Sequence, residues 1–147
     1  PEPGLPQAPE LIHAPDDPRL SAIACPGTPG CASGTTATRR DALDWAEQVP
    51  ELFDGNTSVH VSGCPKGCAH PGRAPVVLVA REGRYDLVLN DRALPEEEGH
   101  RVARGLLPGE VPATLRALVS SATLNSSGNE SLAQSLERVA QASRNRR

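Results

Sequence analysis

Aromatic residues make up only 2% of the 147-residue sequence, and Trp45, Phe53 and Tyr85 are the full set. Aromatic rings supply much of the buried area of ordinary cores, so this shortage predicts a thin core that leans on a cofactor or partner. Methionine is absent, even at position 1, and a chain that opens on Pro1 reads as a piece of a longer protein. No apolar run approaches the ~20 residues of a membrane-spanning helix. No charged-then-apolar signal segment opens the chain either, which leaves the cytoplasm as the default location. Net charge is also scarce: 15 Lys and Arg against 18 Asp and Glu give −3. A balance that close removes the electrostatic case for nucleic acid or an anionic membrane as partner.

Proline is plentiful by contrast. Pro1, Pro3, Pro6, Pro9, Pro15 and Pro18 mark residues 1–19 as an extended linker. Order is expected from the apolar run 20–24, a short strand leading into Cys25. Cys25-Pro26-Gly27-Thr28-Pro29-Gly30-Cys31 then forms a loop that neither a helix nor a strand ladder can accommodate. A helix is predicted over 36–48, with Ala42, Trp45, Ala46 and Val49 at helical spacing, cap oxygens among Thr35 to Thr38, and a stop at Pro50. Val59 and Val61 alternate in a strand that delivers Cys64, and a second cysteine loop runs to about Gly72. Residues 76–80 and 85–89 read as two strands joined around Glu82-Gly83 in a hairpin. The class is therefore α+β, with a domain over 20–92 and each cysteine pair just past a strand end. Residues 93–147 read as a helical or partly disordered tail, with helices at 111–122 and 130–143 and weak apolar faces.

Four cysteines fall in two pairs, Cys25-x5-Cys31 and Cys64-x3-Cys68. Four thiolates are what one [4Fe-4S] cubane takes, one per iron. Gly27, Gly30, Gly63 and Gly67 let the backbone approach such an anion closely and aim N–H groups at it. Three other uses compete. Two disulfides would need an oxidising compartment, which nothing in the sequence suggests. Structural zinc favours C-x2-C to C-x4-C pairs, which the five-residue spacing fits poorly. Unpaired buried cysteines would explain one or two of the residues, hardly four in two loops.

The two pairs together resemble the signature of the sulfite and nitrite reductase family, which binds siroheme and a [4Fe-4S] cluster. His60-Val61-Ser62-Gly63-Cys64-Pro65-Lys66-Gly67-Cys68-Ala69-His70-Pro71 resembles more narrowly the second cysteine loop of the precorrin-3B synthases, the aerobic cobalamin-pathway branch. Asp17-Pro18-Arg19-Leu20, Ala24-Cys25-Pro26-Gly27 and Gly30-Cys31-Ala32-Ser33 resemble that branch's first loop, and Gly83-Arg84-Tyr85-Asp86-Leu87-Val88 the hairpin that follows. The resemblance covers about residues 16–92. It implies a nitrite/sulfite reductase-like half, a cubane on Cys25, Cys31, Cys64 and Cys68, and Cys68 as the ligand shared with siroheme iron where siroheme is present. It also implies O2-dependent hydroxylation and lactone formation on the tetrapyrrole precorrin-3A, with the cluster relaying electrons from a separate donor. Members are built from two similar halves, so the resemblance implies a missing N-terminal half that carries most of the substrate-gripping basic residues. The alternatives are a siroheme sulfite or nitrite reductase module and a non-catalytic [4Fe-4S] electron-transfer module.

Lys66, the only lysine, sits between two of these cysteines and is a candidate to stabilise a reduced cluster or meet a substrate carboxylate. His70 is a candidate contact to a cluster sulfur or a tetrapyrrole carboxylate. His60, facing opposite to Val59 and Val61, reads as structural or exposed, and His13 and His100 receive no role. Arg39, Arg40 and Arg73 read as solvated. Ser33 and Ser62 lack a neighbouring base that would make either a nucleophile.

Overall fold

The computed structural model describes residues 4, 8, 11–96, 100–124 and 132–145. Most of the expected linker before residue 11 and the inter-helix segment 125–131 lie outside the described residues. Residues Pro18–Ser21 form one 3-10 turn rather than the start of a strand. The Asp17 carboxylate caps that turn by accepting the Arg19 backbone N–H at 2.9 Å. Strand β1, Ala22–Ala24, is correspondingly short.

Helix α1 (Thr38–Gln48) follows the first cysteine loop, and the chain returns in β2 (Val59–Ser62), β3 (Ala74–Arg81) and β4 (Arg84–Asp91). Strand β5 (Arg101–Leu106) and helices α2 (Val111–Leu124) and α3 (Leu132–Asn145) complete the fold. The sheet order is β1-β2-β3-β4-β5, with β1, β2 and β3 parallel and β4 and β5 antiparallel. The architecture is the α+β arrangement expected. Glu82 and Gly83 turn the β3–β4 hairpin with φ of 52° and 77°, the two left-handed positions a tight primed turn needs.

Strand alternation sorts the sheet into two faces. Val59, Val61, Val76, Leu78, Ala80, Tyr85, Leu87 and Leu89 pack with Trp45, Val49, Leu52 and Phe53, and with Val111, Leu115, Ala122 and Leu136 from α2 and α3. All three aromatics are in this cluster, each at most 2% exposed. The core is therefore not thin but aliphatic: Val and Leu fill the area that rings would otherwise supply. Trp45 ties it to the chain beyond β5, its indole N–H donating to Pro108 O at 3.0 Å while its ring meets Tyr85 edge-on at 4.9 Å.

The region after residue 93 is more than a tail. Strand β5 extends the sheet, and α2 and α3 contribute Leu115, Ala122 and Leu136 to the main core. Strand β5 escaped the sequence reading because it holds two arginines and a glycine. Its buried Arg101 is neutralised by Asp86, with Nε and Oδ2 3.5 Å apart.

One connection sets the site. Strands β2 and β3 are parallel neighbours, Val59 beside Val76, so residues 63–73 must carry the chain back along the sheet before β3 begins. No helix fills that connection. The second cysteine loop itself is the crossover, and it sets Gly67 and His70 against His60 on the face that also carries Val77, Val79 and Val88.

Candidate functional site

Parallel strands share their ends, so β1 and β2 deliver Cys25 and Cys64 at the same edge of the sheet. Cys25 N–H donates to Val61 O at 3.3 Å, extending the ladder by one residue to the first thiol. The loop that follows is closed by its own backbone: Cys31 N–H meets Gly27 O at 2.7 Å, and Thr28 N–H meets Thr36 O at 2.8 Å. Thr35 N–H then reaches Gly63 O at 3.0 Å, locking the first loop to the second.

Glycine makes that lock possible. A Cβ on Gly27, at φ +62°, would lie 2.4 Å from Thr36 O. One on Gly34 would lie 3.0 Å from the Gly27 backbone, and one on Gly63 3.3 Å from Gly34 Cα. Three glycines from two loops therefore stack backbone on backbone, closer than any side chain permits.

The threonines expected to cap α1 serve the loops instead. Ala37 is the N-cap and makes no side-chain bond. Thr38 Oγ1 donates to Cys25 O and lies 3.7 Å from Cys25 Sγ. Thr36 Oγ1 lies 2.8 Å from the Tyr85 hydroxyl, which is 2.7 Å from Asp41 Oδ2. The phenol has one proton and the carboxylate only accepts, so Tyr85 donates to Asp41 and accepts from Thr36. Burial, the largest cause, raises the Tyr85 phenol well above its ordinary value, and the nearby Asp41 and Cys25 push the same way. The result is a neutral, fully buried hydroxyl behind the first cysteine loop.

All four cysteines are free, Cys25, Cys31 and Cys64 half-buried and Cys68 exposed. Gly63 N–H donates to Cys25 Sγ at 3.2 Å, tying the second loop to the first thiol. Ser62 Oγ donates to Cys64 O at 2.7 Å, and His70 N–H to Gly67 O at 3.1 Å, shaping the second loop. Among the described residues, no group of three or more His, Cys, Asp or Glu converges where a single ion would sit. The four thiols lie on two interlocked loops, two on each.

Lys66 does not point freely into this site. Its Nζ donates to Ser33 Oγ at 3.0 Å. His70 Nε2 lies 3.1 Å from Arg73 O, and its ring meets His60 at 5.7 Å and 68°. Arg73 is engaged with Asn90 O at 3.3 Å and Glu96 at 3.1 Å, whereas Arg39 and Arg40 are exposed at the start of α1.

Two histidines carry more than the sequence reading gave them. His60 is wholly buried, and burial first, with His70 second, lowers it to about 4. The signal for its burial lies in β3: the run 76–80 is apolar at every position, which requires both sheet faces to be covered. His100, only 3% exposed, sets Nδ1 2.7 Å from Asp91 Oδ2. Burial pushes Asp91 upward, but the Arg92 N–H, His100 and the charge of Arg73 outweigh it and leave the carboxyl below its usual value. Sequence distance hid that pair.

Comparison with known proteins gives the same class. No family model matches the chain. The fold resembles that of the NirA protein of Mycobacterium tuberculosis, with a TM-score of 0.59 at 18% identity, over 80% of this chain and 25% of that one. The sulfite reductase [NADPH] hemoprotein beta-component of Myxococcus xanthus is 29% identical over 107 residues, 68% of this chain and 19% of that protein. Its counterpart in Shewanella woodyi is 35% identical over 78 residues, 48% of this chain and 14% of that protein. Sequence and fold together fit the nitrite and sulfite reductase family. Within it, a precorrin-3B synthase of a Sinorhizobium species is 44% identical over 80 residues, 54% of this chain and 17% of that protein. The matched part thus spans less than one fifth of each curated relative. Among the described residues, no helix is long and apolar enough to cross a membrane.

Proposed function

We propose that the chain is the cluster-bearing part of a precorrin-3B synthase-like oxidoreductase, with Cys25, Cys31, Cys64 and Cys68 holding a [4Fe-4S] cluster. The carrying observation is the interlock of the two cysteine loops: four free thiols on the loops that follow β1 and β2, which are joined by the Gly63 N–H to Cys25 Sγ bond and by the Thr35 N–H to Gly63 O bond. When bound, a [4Fe-4S] group supplies one-electron storage and transfer. The chain's own residues do the rest. Gly63 N–H donates to Cys25 Sγ, the glycine stack fixes the distance between loops, and Lys66 reaches across from the second loop to Ser33 of the first. Cys68, the most exposed thiol, is suited to face a second group such as siroheme or a tetrapyrrole substrate.

In this reading the whole enzyme uses O2 and reducing equivalents to hydroxylate precorrin-3A and close a lactone, in the cytoplasm. The segment of the protein outside this chain supplies most of the substrate contacts, and His70 lines the same loop. The likeness to sulfite reductase hemoproteins favours one second reading, a siroheme module that reduces sulfite or nitrite without O2.

The test is metal and sulfide content after anaerobic purification, beside the visible spectrum. About four iron and four acid-labile sulfide per chain, with a broad band near ~400 nm, are expected. Sharp macrocycle bands in the purified protein would favour the siroheme module, and zinc without sulfide would overturn both readings.

A further inference from the structure

His60 is 0% exposed, and neither of its ring nitrogens has a hydrogen-bond partner among the described residues. Burying a polar group without a partner costs about 1–3 kcal/mol. Valine would occupy the same place beside Val77 and Val79 at no such cost. An orphaned buried imidazole therefore points to a partner that joins in another state of the site.

The ring's orientation narrows what that partner is. The His60 Cε1 atom lies 3.7 Å from where a Cβ on Gly67 would be. Cε1 is bonded to both ring nitrogens, so the nitrogen-bearing edge is turned toward Gly67, the residue before Cys68. The Ala93 methyl lies 3.0 Å from that same position, so the loop at Gly67 is packed against both Ala93 and the ring. The His70 ring meets the His60 ring edge-on with centroids 5.7 Å apart, while its own Nε2 is occupied by Arg73 O.

We propose that His60 is a positioning residue of the cluster, donating a ring N–H to the ligand shell at Cys68 once the second cysteine loop closes around the bound group. The inference rests on the cluster reading above. Burial keeps the ring neutral, so one nitrogen carries the proton to donate and no charge is added beneath the loop. A donor at that place stabilises the more negative, reduced cluster and raises its potential.

The full chain, labelled with 15N-histidine and reconstituted anaerobically with iron and sulfide, is examined by pulsed EPR of the reduced cluster and by potentiometric titration. A histidine 15N coupling is expected in the wild type, retained in His70→Gln and lost in His60→Leu. The potential of His60→Leu should lie below the wild type, with His60→Gln, still an N–H donor, between them. Iron and sulfide are counted in every sample. A full cluster without histidine coupling, or with the same potential in His60→Leu, overturns the inference alone. A wild-type chain that takes up no cluster overturns the underlying reading and this inference together. Should His60→Leu fail to fold, the wild-type coupling and the His60→Gln potential decide.

Discussion

Lys66 Nζ donates to Ser33 Oγ across 3.0 Å, joining the middle of the C-x3-C segment to a residue just past Cys31. The only lysine of the chain therefore bridges both cysteine loops at the surface. An exposed bond of this kind contributes about 1 kcal/mol or less to folding. Its larger effect falls on the loops, which must stay together while the cluster is bound. Lys66→Ala and Ser33→Ala are each expected to leave the melting temperature nearly unchanged. Each should speed loss of the ~400 nm absorbance under chelator by about two- to tenfold, by analogy with changes in residues that support metal ligands. Equal rates in Lys66→Ala and the wild type would show the bridge to be incidental.

The glycine stack gives a sharper contrast. Gly27 and Gly105 have nearly the same backbone angle, φ +62° and +63°, yet different surroundings. A Cβ on Gly27 strikes Thr36 O at 2.4 Å, whereas Gly105 has nothing within 4 Å. Gly105→Ala bears only the left-handed backbone cost of about 1 kcal/mol. Gly27→Ala adds a clash with backbone that cannot yield without parting the loops, so a loss of about 2–3 kcal/mol or more is expected. Urea denaturation of the two variants should separate them, and similar midpoints would mean that the loop relaxes around the new methyl.

Much of this was legible in the sequence, and the omissions share a cause. Alternation in β2, the Glu82-Gly83 turn and the Pro50 stop are local signals, and each element they marked is present. Cys25 and Cys64 sit just beyond strand ends because the elements are where the pattern put them. What escaped depends on partners distant in the chain. Strand β5 is admissible only because Asp86 neutralises Arg101, and Thr36 and Thr38 leave the helix cap because Tyr85 and Cys25 O are in reach. His60 alternates correctly, but no local pattern shows that the cysteine loop folds back over its face.

Tyr85 tests the polar link between core and site. Its hydroxyl satisfies Asp41 at 2.7 Å and sits 2.8 Å from Thr36, all three being buried. Tyr85→Phe keeps the ring against Trp45 but leaves the carboxylate without its donor, at a cost of about 1–3 kcal/mol. Asp41→Asn retains an acceptor for the phenol and should cost less. Chemical denaturation of both variants checks the order. A reversed order would show that Asp41 is stabilised chiefly by other groups at the start of α1.

His60 also predicts how stability responds to acid. Its folded value is lowered to about 4 from an ordinary 6.5, so between those limits the unfolded chain binds more protons than the native one. Stability from this group is full above pH 6.5 and is lost as pH falls toward 4. The shift corresponds to at most ~3 kcal/mol. Asp91, also lowered, loses its contribution as pH falls below the ordinary carboxylate range, so the two effects separate on the pH axis. Denaturation of the cluster-free chain at pH 7.5 and 4.5 should show a clear drop in the wild type and a smaller one in His60→Leu. Parallel losses in the two proteins would assign the acid sensitivity elsewhere.

The four thiols should not respond alike to serine. Cys25 is half-buried, accepts the Gly63 N–H at 3.2 Å and extends the β1–β2 ladder through its own N–H. Cys68 is exposed, and among the described residues no such bond holds its side chain. A hydroxyl in place of sulfur is a poor iron ligand, so either change should abolish the full iron and sulfide complement. Only Cys25→Ser should also weaken the cluster-free chain, by about 1 kcal/mol, because a shorter O–H must replace sulfur in a packed contact between the loops. Thermal melts before and after anaerobic reconstitution separate the two effects. Reconstituted wild type should melt higher than its cluster-free form, since a ligand bound only by the native state adds its binding free energy to folding. Full iron and sulfide in either variant would break the four-ligand assignment. Equal melting of the two cluster-free variants would show that the Gly63–Cys25 contact contributes nothing until the cluster binds.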